Sequence, residues 1–230
     1  MKSESTVSSV MKWVYVAAGI ALFFKMVLLP NVAPELTNLS IVDAVVQDAG
    51  VSNAVSGIIF RNRLYDTIFE VVVFTIAILG SKYLLANERP FCTIYRFTDH
   101  PSVVLARLGA TISALVGIEL AIRGHLSPGG GFAAGVAGGT AIGLVAITAS
   151  TEWMQGVYQR WQAATWEKIS VLVFLLLAVM TLIGLELPHG ELGTLFSGGV
   201  VPILNILVAM KVSLGSWAVI LIFIRYRGLL

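Results

Sequence analysis

The sequence is poor in charge and in sulfur. Only 12% of its 230 residues are charged, against 57% that are hydrophobic. An average soluble domain carries roughly 25% charged residues. Mean hydropathy is +0.88, which excludes a soluble globule, a disordered chain and a collagen-like chain. The net charge of +2 is too small to argue for a nucleic-acid or other polyanionic partner. Cys92 is the single cysteine, so the chain has no internal disulfide and no four-thiolate iron–sulfur site. CxxC, HExxH, P-loop and dinucleotide-binding patterns are all absent. No two of His100, His125 and His189 sit at ligand spacing on one helix, so no metal site is expected.

What the chain does have is long, continuous apolar runs. They do not alternate every second residue, which favours helices over a barrel. The expected fold is an all-α polytopic membrane protein with about six spans, near 13–30, 66–85, 102–123, 131–151, 166–187 and 200–223. The first run reads as a retained helix, because Lys25 interrupts it and no clean cleavage site follows. Between the first two spans, Ile41, Val42, Val45, Val46 and Ala49 alternate with Asp43, Gln47 and Asp48. That period fits an amphipathic helix at the membrane surface or against a partner, or an ordinary ordered loop.

Basic residues set the orientation. Lys2, Lys12, Lys82, Arg89, Arg96, Arg160, Lys168, Arg225 and Arg227 fall on one side; Arg61, Arg63 and Arg123 fall on the other. Both termini are therefore expected to be cytoplasmic. The polar stretch from Ala86 to Pro101 suggests a boundary, with a two-helix unit over 1–87 and a four-helix unit over 88–230.

Two features carry chemistry. Gly131, Gly135, Gly139 and Gly143 recur every fourth residue and form one flat stripe. In lipid such a stripe lets two backbones approach closely. Before it stands Pro128-Gly129-Gly130-Gly131, a break that either lines an ion or water path or makes a tight packed turn. The second feature is charge within the spans: Lys25, Glu70, Arg107, Glu119 and Lys211, with Asp66 at the mouth of the second span. Lys25 and Arg107 are read as snorkelling, although Lys25 has Glu70 or Glu119 as possible partners. Lys211 is too deep to snorkel and needs a carboxylate, a carbonyl cluster or a water file.

The stretch GHLSPGGGFAAGVAGG, residues 124–139, resembles the B subunit of Mrp-type multisubunit cation/proton antiporters, the MnhB domain. GTLFSGGVVPILNILVAMKV, residues 193–212, is similar to the same family. Asn53-Ala-Val and then Arg63-Leu-Tyr-Asp66-Thr67-Ile-Phe-Glu70 resemble the RxxDTxxE element at the end of the large A subunit. Phe69 stands where that element usually has glycine. In hydrogenase-type archaeal complexes the element forms a small separate subunit, so the chain resembles a fusion of that subunit with a B-like one.

The resemblance implies a non-enzymatic subunit of a sodium/proton exchange module in a prokaryotic plasma membrane. It implies Na⁺ and H⁺ as transported ions and no cofactor in the chain itself. It further implies sister Mrp-type subunits as partners and, in hydrogenase or sulfane-reductase complexes, a peripheral iron–sulfur arm that holds the redox chemistry. Glu70, Asp66 and Lys211 would then handle the ion, with Glu119 and Lys25 as further candidates. A scaffold subunit that touches no ion is the alternative reading. An independent small transporter is disfavoured, because the chain lacks inverted repeats and paired broken helices.

Overall fold

The computed structural model describes residues 40–90, 94 and 96–227, with scattered positions between 13 and 28. The chain divides into two compact units, residues 1–39 and residues 40–230. In the first, the described residues, Trp13, Ile20 and Phe24 among them, are helical and exposed. Half of the first expected span lies outside the described residues, as do Lys25 and Cys92.

The second unit is helical throughout its regular structure. Its elements are α1 (Ile41–Ala49), α2 (Ala54–Gly57), a π turn (Ile58–Asn62), α3 (Leu64–Leu85), α4 (His100–Arg123), α5 (Gly131–Ala146), α6 (Thr151–Arg160), α7 (Ala163–Leu182) and α8 (Val201–Arg227). Helices α3, α4, α7 and α8 are long and apolar enough to cross a membrane. With α5 they account for five of the six expected spans. The amphipathic period over 41–49 is realised as α1, capped by Ser40 at its start and by left-handed Gly50 at its end.

Two boundaries differ from the sequence reading. The span expected over 131–151 ends at Ala146, and a separate helix, α6, begins at Thr151. The cause is Ser150, whose side chain accepts a hydrogen bond from the Trp153 N–H and so starts a new helix. Helix α7 begins at Ala163, three residues before the expected 166, after Gln162 turns the chain with φ 48°. Glu167 therefore sits one turn inside the helix.

Helix α8 is the centre of the unit. It packs against α5, α7, α3 and α4, and α4 packs in turn on α5. The glycine stripe faces α8 within the same chain. A Cβ on Gly135 would run into Val212 Cβ and also lie 3.0 Å from the Ala209 carbonyl, and the nearest neighbour of one on Gly139 would be Ser216 Cβ at 2.8 Å. One on Gly143 would make an ordinary 3.7 Å contact with Ile220. The closeness of approach therefore relaxes toward the C-terminal end of α5. Helix α4 uses a glycine of its own, Gly117, whose Cβ would meet the Ala134 carbonyl at 3.0 Å. Two hydroxyls add interhelical hydrogen bonds, Ser213 to the Gly135 carbonyl (3.1 Å) and Ser113 to the Ala137 carbonyl (2.8 Å).

Candidate functional site

Helix α5 has 16 residues. At 1.5 Å per residue it is about 24 Å long, short of a hydrocarbon core of about 30 Å. A helix that short leaves part of the core to the non-helical chain at its ends, where freed backbone groups must find partners in protein or water. They do. The last carbonyls of α4, those of Leu120 and Ala121, accept from Asn205 Nδ2 of α8 at 3.0 and 2.7 Å. The Gly124 carbonyl accepts from Ser56 Oγ (2.6 Å) and from Asn53 Nδ2 (2.8 Å). The Ser127 carbonyl accepts from Asn53 Nδ2 at 2.7 Å. Gly129 and Gly130, with φ of 148° and 143°, take backbone conformations that L side chains rarely adopt.

Asn53 and Ser56 reach this turn from the N-terminal side of the boundary expected near residue 87. His125, at the start of the turn, is fully buried, and its carbonyl accepts from the Asn53 N–H at 3.1 Å. Its ring nitrogens make no hydrogen bond of acceptable geometry, though the backbone of Thr194 and Leu195 lies close enough to act on the ring. Burial pushes the imidazole below its usual value, and the Leu195 and Thr194 backbone opposes that only in part.

Beside the turn is a cavity of about 430 Å³. Glu70, Thr67 and Ser56 line it from one side, Gly129–Gly131 and Phe132 from the other, with Val208 of α8 completing the wall. The Glu70 carboxylate makes no hydrogen bond or ion pair among the described residues. Thr67 has a separate task. Its hydroxyl donates at 2.9 Å to the Ile59 carbonyl, which the π turn leaves without a regular helical partner.

Lys211 lies one turn beyond Val208 on α8. It is 1% exposed and bonded to Glu167 of α7, itself 6% exposed. The Lys211 Nζ also sits 5.6 Å from the centroid of the Phe74 ring. Phe74 is four residues after Glu70 on α3 and meets Phe132 edge-on at 6.4 Å. Two phenylalanines thus stand between the Glu70 cavity and the Lys211–Glu167 pair. Beyond the pair lies a second cavity of about 460 Å³, lined by Tyr158, Lys82, Gln155, Ala218 and Arg225 among others. The Tyr158 hydroxyl is held above its usual value, first by burial and then by the negative charge of Glu167, which marks the pair as near this cavity.

The structure therefore brings Glu70, the proline–glycine turn and Lys211 into one region. Two other sequence candidates, Asp66 and Glu119, do not line the cavity, and Lys25 lies outside the described residues. Asp66 pairs with Arg63 at 2.5 Å, one turn before Glu70. Glu119 faces Arg123 at 3.9 Å on the exposed side of α4. Sequence reasoning missed Glu167, because a late helix start put it among the interfacial residues. It also missed Asn205, Phe74 and Tyr158. Asn205, a lone amide in the run VPILNILVAM, was the one legible signal. The pairing of Arg61 was also not foreseen: it bonds Asp48 (2.8 Å) and Glu186 (2.9 Å) and ties α1 to the loop after α7.

A family model described as a domain related to the MnhB subunit of Na⁺/H⁺ antiporters matches residues 101–218. The chain belongs to this family. It is a membrane-embedded subunit of the Mrp type, and the matched region holds the glycine turn, the stripe, Glu167 and Lys211. Two solved structures are similar in fold. One is a chain of the membrane-bound sulfane sulfur reductase, an archaeal respiratory membrane complex. It shows 22% identity and a TM-score of 0.65, over 95% of this chain and 99% of that one. The other is a chain of the Mrp complex from Dietzia sp. DQ12-45-1b, with 19% identity and a TM-score of 0.57. There the match covers 96% of this chain and only 26% of the other. No curated protein sequence matches.

Proposed function

We propose that this subunit carries part of a cation/proton exchange path in a prokaryotic plasma membrane. Its hosts would be an Mrp-type antiporter or a respiratory complex of the hydrogenase or sulfane-reductase kind. Na⁺ and H⁺ are the transported ions, and the chain needs no cofactor of its own. Other Mrp-type membrane subunits are its partners. Redox catalysis, where the host has it, belongs to a peripheral iron–sulfur arm and not to this chain.

The observation that carries the reading is the unpaired Glu70 carboxylate on an open cavity of about 430 Å³ beside the glycine turn. A carboxylate at membrane depth is costly when charged and alone. Binding H⁺ or Na⁺ neutralises it, so the two ions compete for one group, which is the elementary requirement of exchange. Phe74 and Phe132 then act as an apolar partition. Behind them, Lys211 and Glu167 form a neutral pair able to respond when the charge on Glu70 changes. The Tyr158 and Lys82 cavity lies on the far side of that pair, whose residues do not line it.

The test is exchange in inverted vesicles. Glu70→Gln should leave the complex assembled and reduce exchange at least tenfold across a pH series. Glu70→Asp should keep part of it. Full exchange by Glu70→Gln would overturn the proposal and leave the scaffold reading. That second reading draws on the sealed Lys211–Glu167 pair and on the stripe's packing against α8.

A further inference from the structure

We propose that the cavity between α4 and α5, on the side of Arg96, binds the phosphodiester headgroup of an anionic phospholipid. The cavity measures about 780 Å³. Arg107, Ala110, Thr111 and Ala114 supply one wall, at the i, i+3, i+4, i+7 spacing of a single helix face. Val145, Thr148, Ser150 and Trp153 supply the other wall, and Arg96 closes the mouth. The hydrogen bond from the Phe97 N–H to the Ile147 carbonyl (3.1 Å) holds the Arg96 segment against the end of α5.

Three features point to an anionic amphiphile. The first is charge. The lining holds two guanidinium groups and no carboxylate. Neither Arg96 nor Arg107 makes an ion pair among the described residues. Glu152 is exposed and does not line the cavity, and Asp99 is engaged as the N-cap of α4. Guanidinium groups present paired donors that match phosphate oxygens.

The second feature is the order of chemistry with depth. Arg96, Ser150 and Trp153 lie at the mouth, where an indole suits the interface. Arg107 and Thr148 come next. Ala114 is seven residues further along α4 than Arg107, or roughly 10 Å deeper at 1.5 Å per residue. Polar groups thus give way to small apolar ones, as a headgroup gives way to its glycerol and acyl chains.

The third feature is the surroundings. Val104, Leu105, Leu108 and Ile112 on α4 are all at least 50% exposed, so the helix that supplies the arginine wall also carries an apolar surface. A carboxylate from a neighbouring subunit would use the arginines but has no use for the floor at Ala114. Basic pockets between helices on the cytoplasmic side are a known means of holding anionic headgroups.

The test uses the full chain in the complex purified from its own membranes, delipidated and then titrated with phosphatidylglycerol. Retained lipid is read by native mass spectrometry and by thermal stability. The wild type should bind phosphatidylglycerol and not phosphatidylcholine. Arg96→Gln and Arg107→Gln should each weaken binding about fivefold, and the double variant about 25-fold. Both side chains are exposed, so neither change threatens folding. Arg107→Lys should recover part of the affinity. Ala114→Phe, which fills the floor without altering charge, should also weaken retention. Unchanged binding by the double variant would overturn the proposal. So would full competition by millimolar inorganic phosphate, which would mark a free-anion pocket. Loss of a subunit from the double variant at unchanged lipid count would assign the arginines to a protein partner instead.

Discussion

Glu70 and Lys211 each place an ionisable group in an apolar helix, and the fold treats them in opposite ways. Glu70 opens on a cavity and has no partner among the described residues. Lys211 is sealed at 1% exposure against Glu167, with the Phe74 ring over it. The two are linked by one residue, since Phe74 follows Glu70 by one turn of α3 and also touches Phe132. An open carboxylate can exchange ligands at little structural cost. A sealed pair cannot be disturbed without consequences for the helices that hold it. Function and stability are thus separable at these two positions, and mutations can measure the separation.

The largest effect is expected at the sealed pair. Lys211→Ala leaves Glu167 buried and uncompensated, which should cost about 3–5 kcal/mol. Native gels of the complex should show subcomplexes or lower abundance. The double variant Lys211→Met with Glu167→Gln removes both charges and should regain most of that stability while failing in exchange. If Lys211→Ala assembles and melts as the wild type does, the pair is not sealed in the membrane, and the contrast with Glu70 disappears.

A smaller effect, graded along one helix, is expected from the stripe that supports both regions. Gly135→Ala places a methyl 3.0 Å from the Ala209 carbonyl, and Gly139→Ala places one 2.8 Å from Ser216 Cβ. Each should destabilise by about 1–3 kcal/mol through overpacking. Gly143→Ala meets only Ile220 at 3.7 Å and should be neutral or slightly stabilising, because glycine is a poor helix former. Leucine at 135 or 139 should destabilise the packing further than alanine does. Thermal melts of the three alanine variants check the gradient. Equal effects at 135 and 143 would show that the stripe does not close down toward the turn.

Much of this arrangement is legible in the sequence. The apolar runs locate the spans because hydrocarbon tolerates nothing else over that length. The four-residue glycine period locates the close-packed face, although it is silent on which helix meets it. Lys211 announces that a partner exists, since a lysine at that depth needs one. It does not announce Glu167, because pairing across 44 positions depends on helix rotation and on where α7 begins. Asn53 and Asn205 show the same limit. Each is an isolated amide whose role is to satisfy carbonyls at or just after the end of α4, more than 70 residues away. Such long-range hydrogen bonds leave no local pattern.

The smallest effect concerns the buried histidine at the start of the glycine turn, and it depends on pH. His125 is fully buried there, and burial pushes its imidazole below the usual imidazole value of about 6.5. A base whose pKa is depressed on folding binds fewer protons in the native state than in the unfolded one. Stability contributed by its neutral form is therefore complete above about 6.5 and is lost as pH falls below that value. The slope for one proton is at most about 1.4 kcal/mol per pH unit. The melting temperature of the complex should accordingly fall between pH 6.5 and pH 5. His125→Gln keeps a polar side chain and removes the titration, so its slope should be flatter than that of the wild type. His100 and His189 are present in both proteins, and their contributions cancel in the difference. The Lys211–Glu167 pair is likewise common to both. A wild-type slope that survives in His125→Gln would place the pH sensitivity elsewhere, and His125 would then be an inert packing element of the turn.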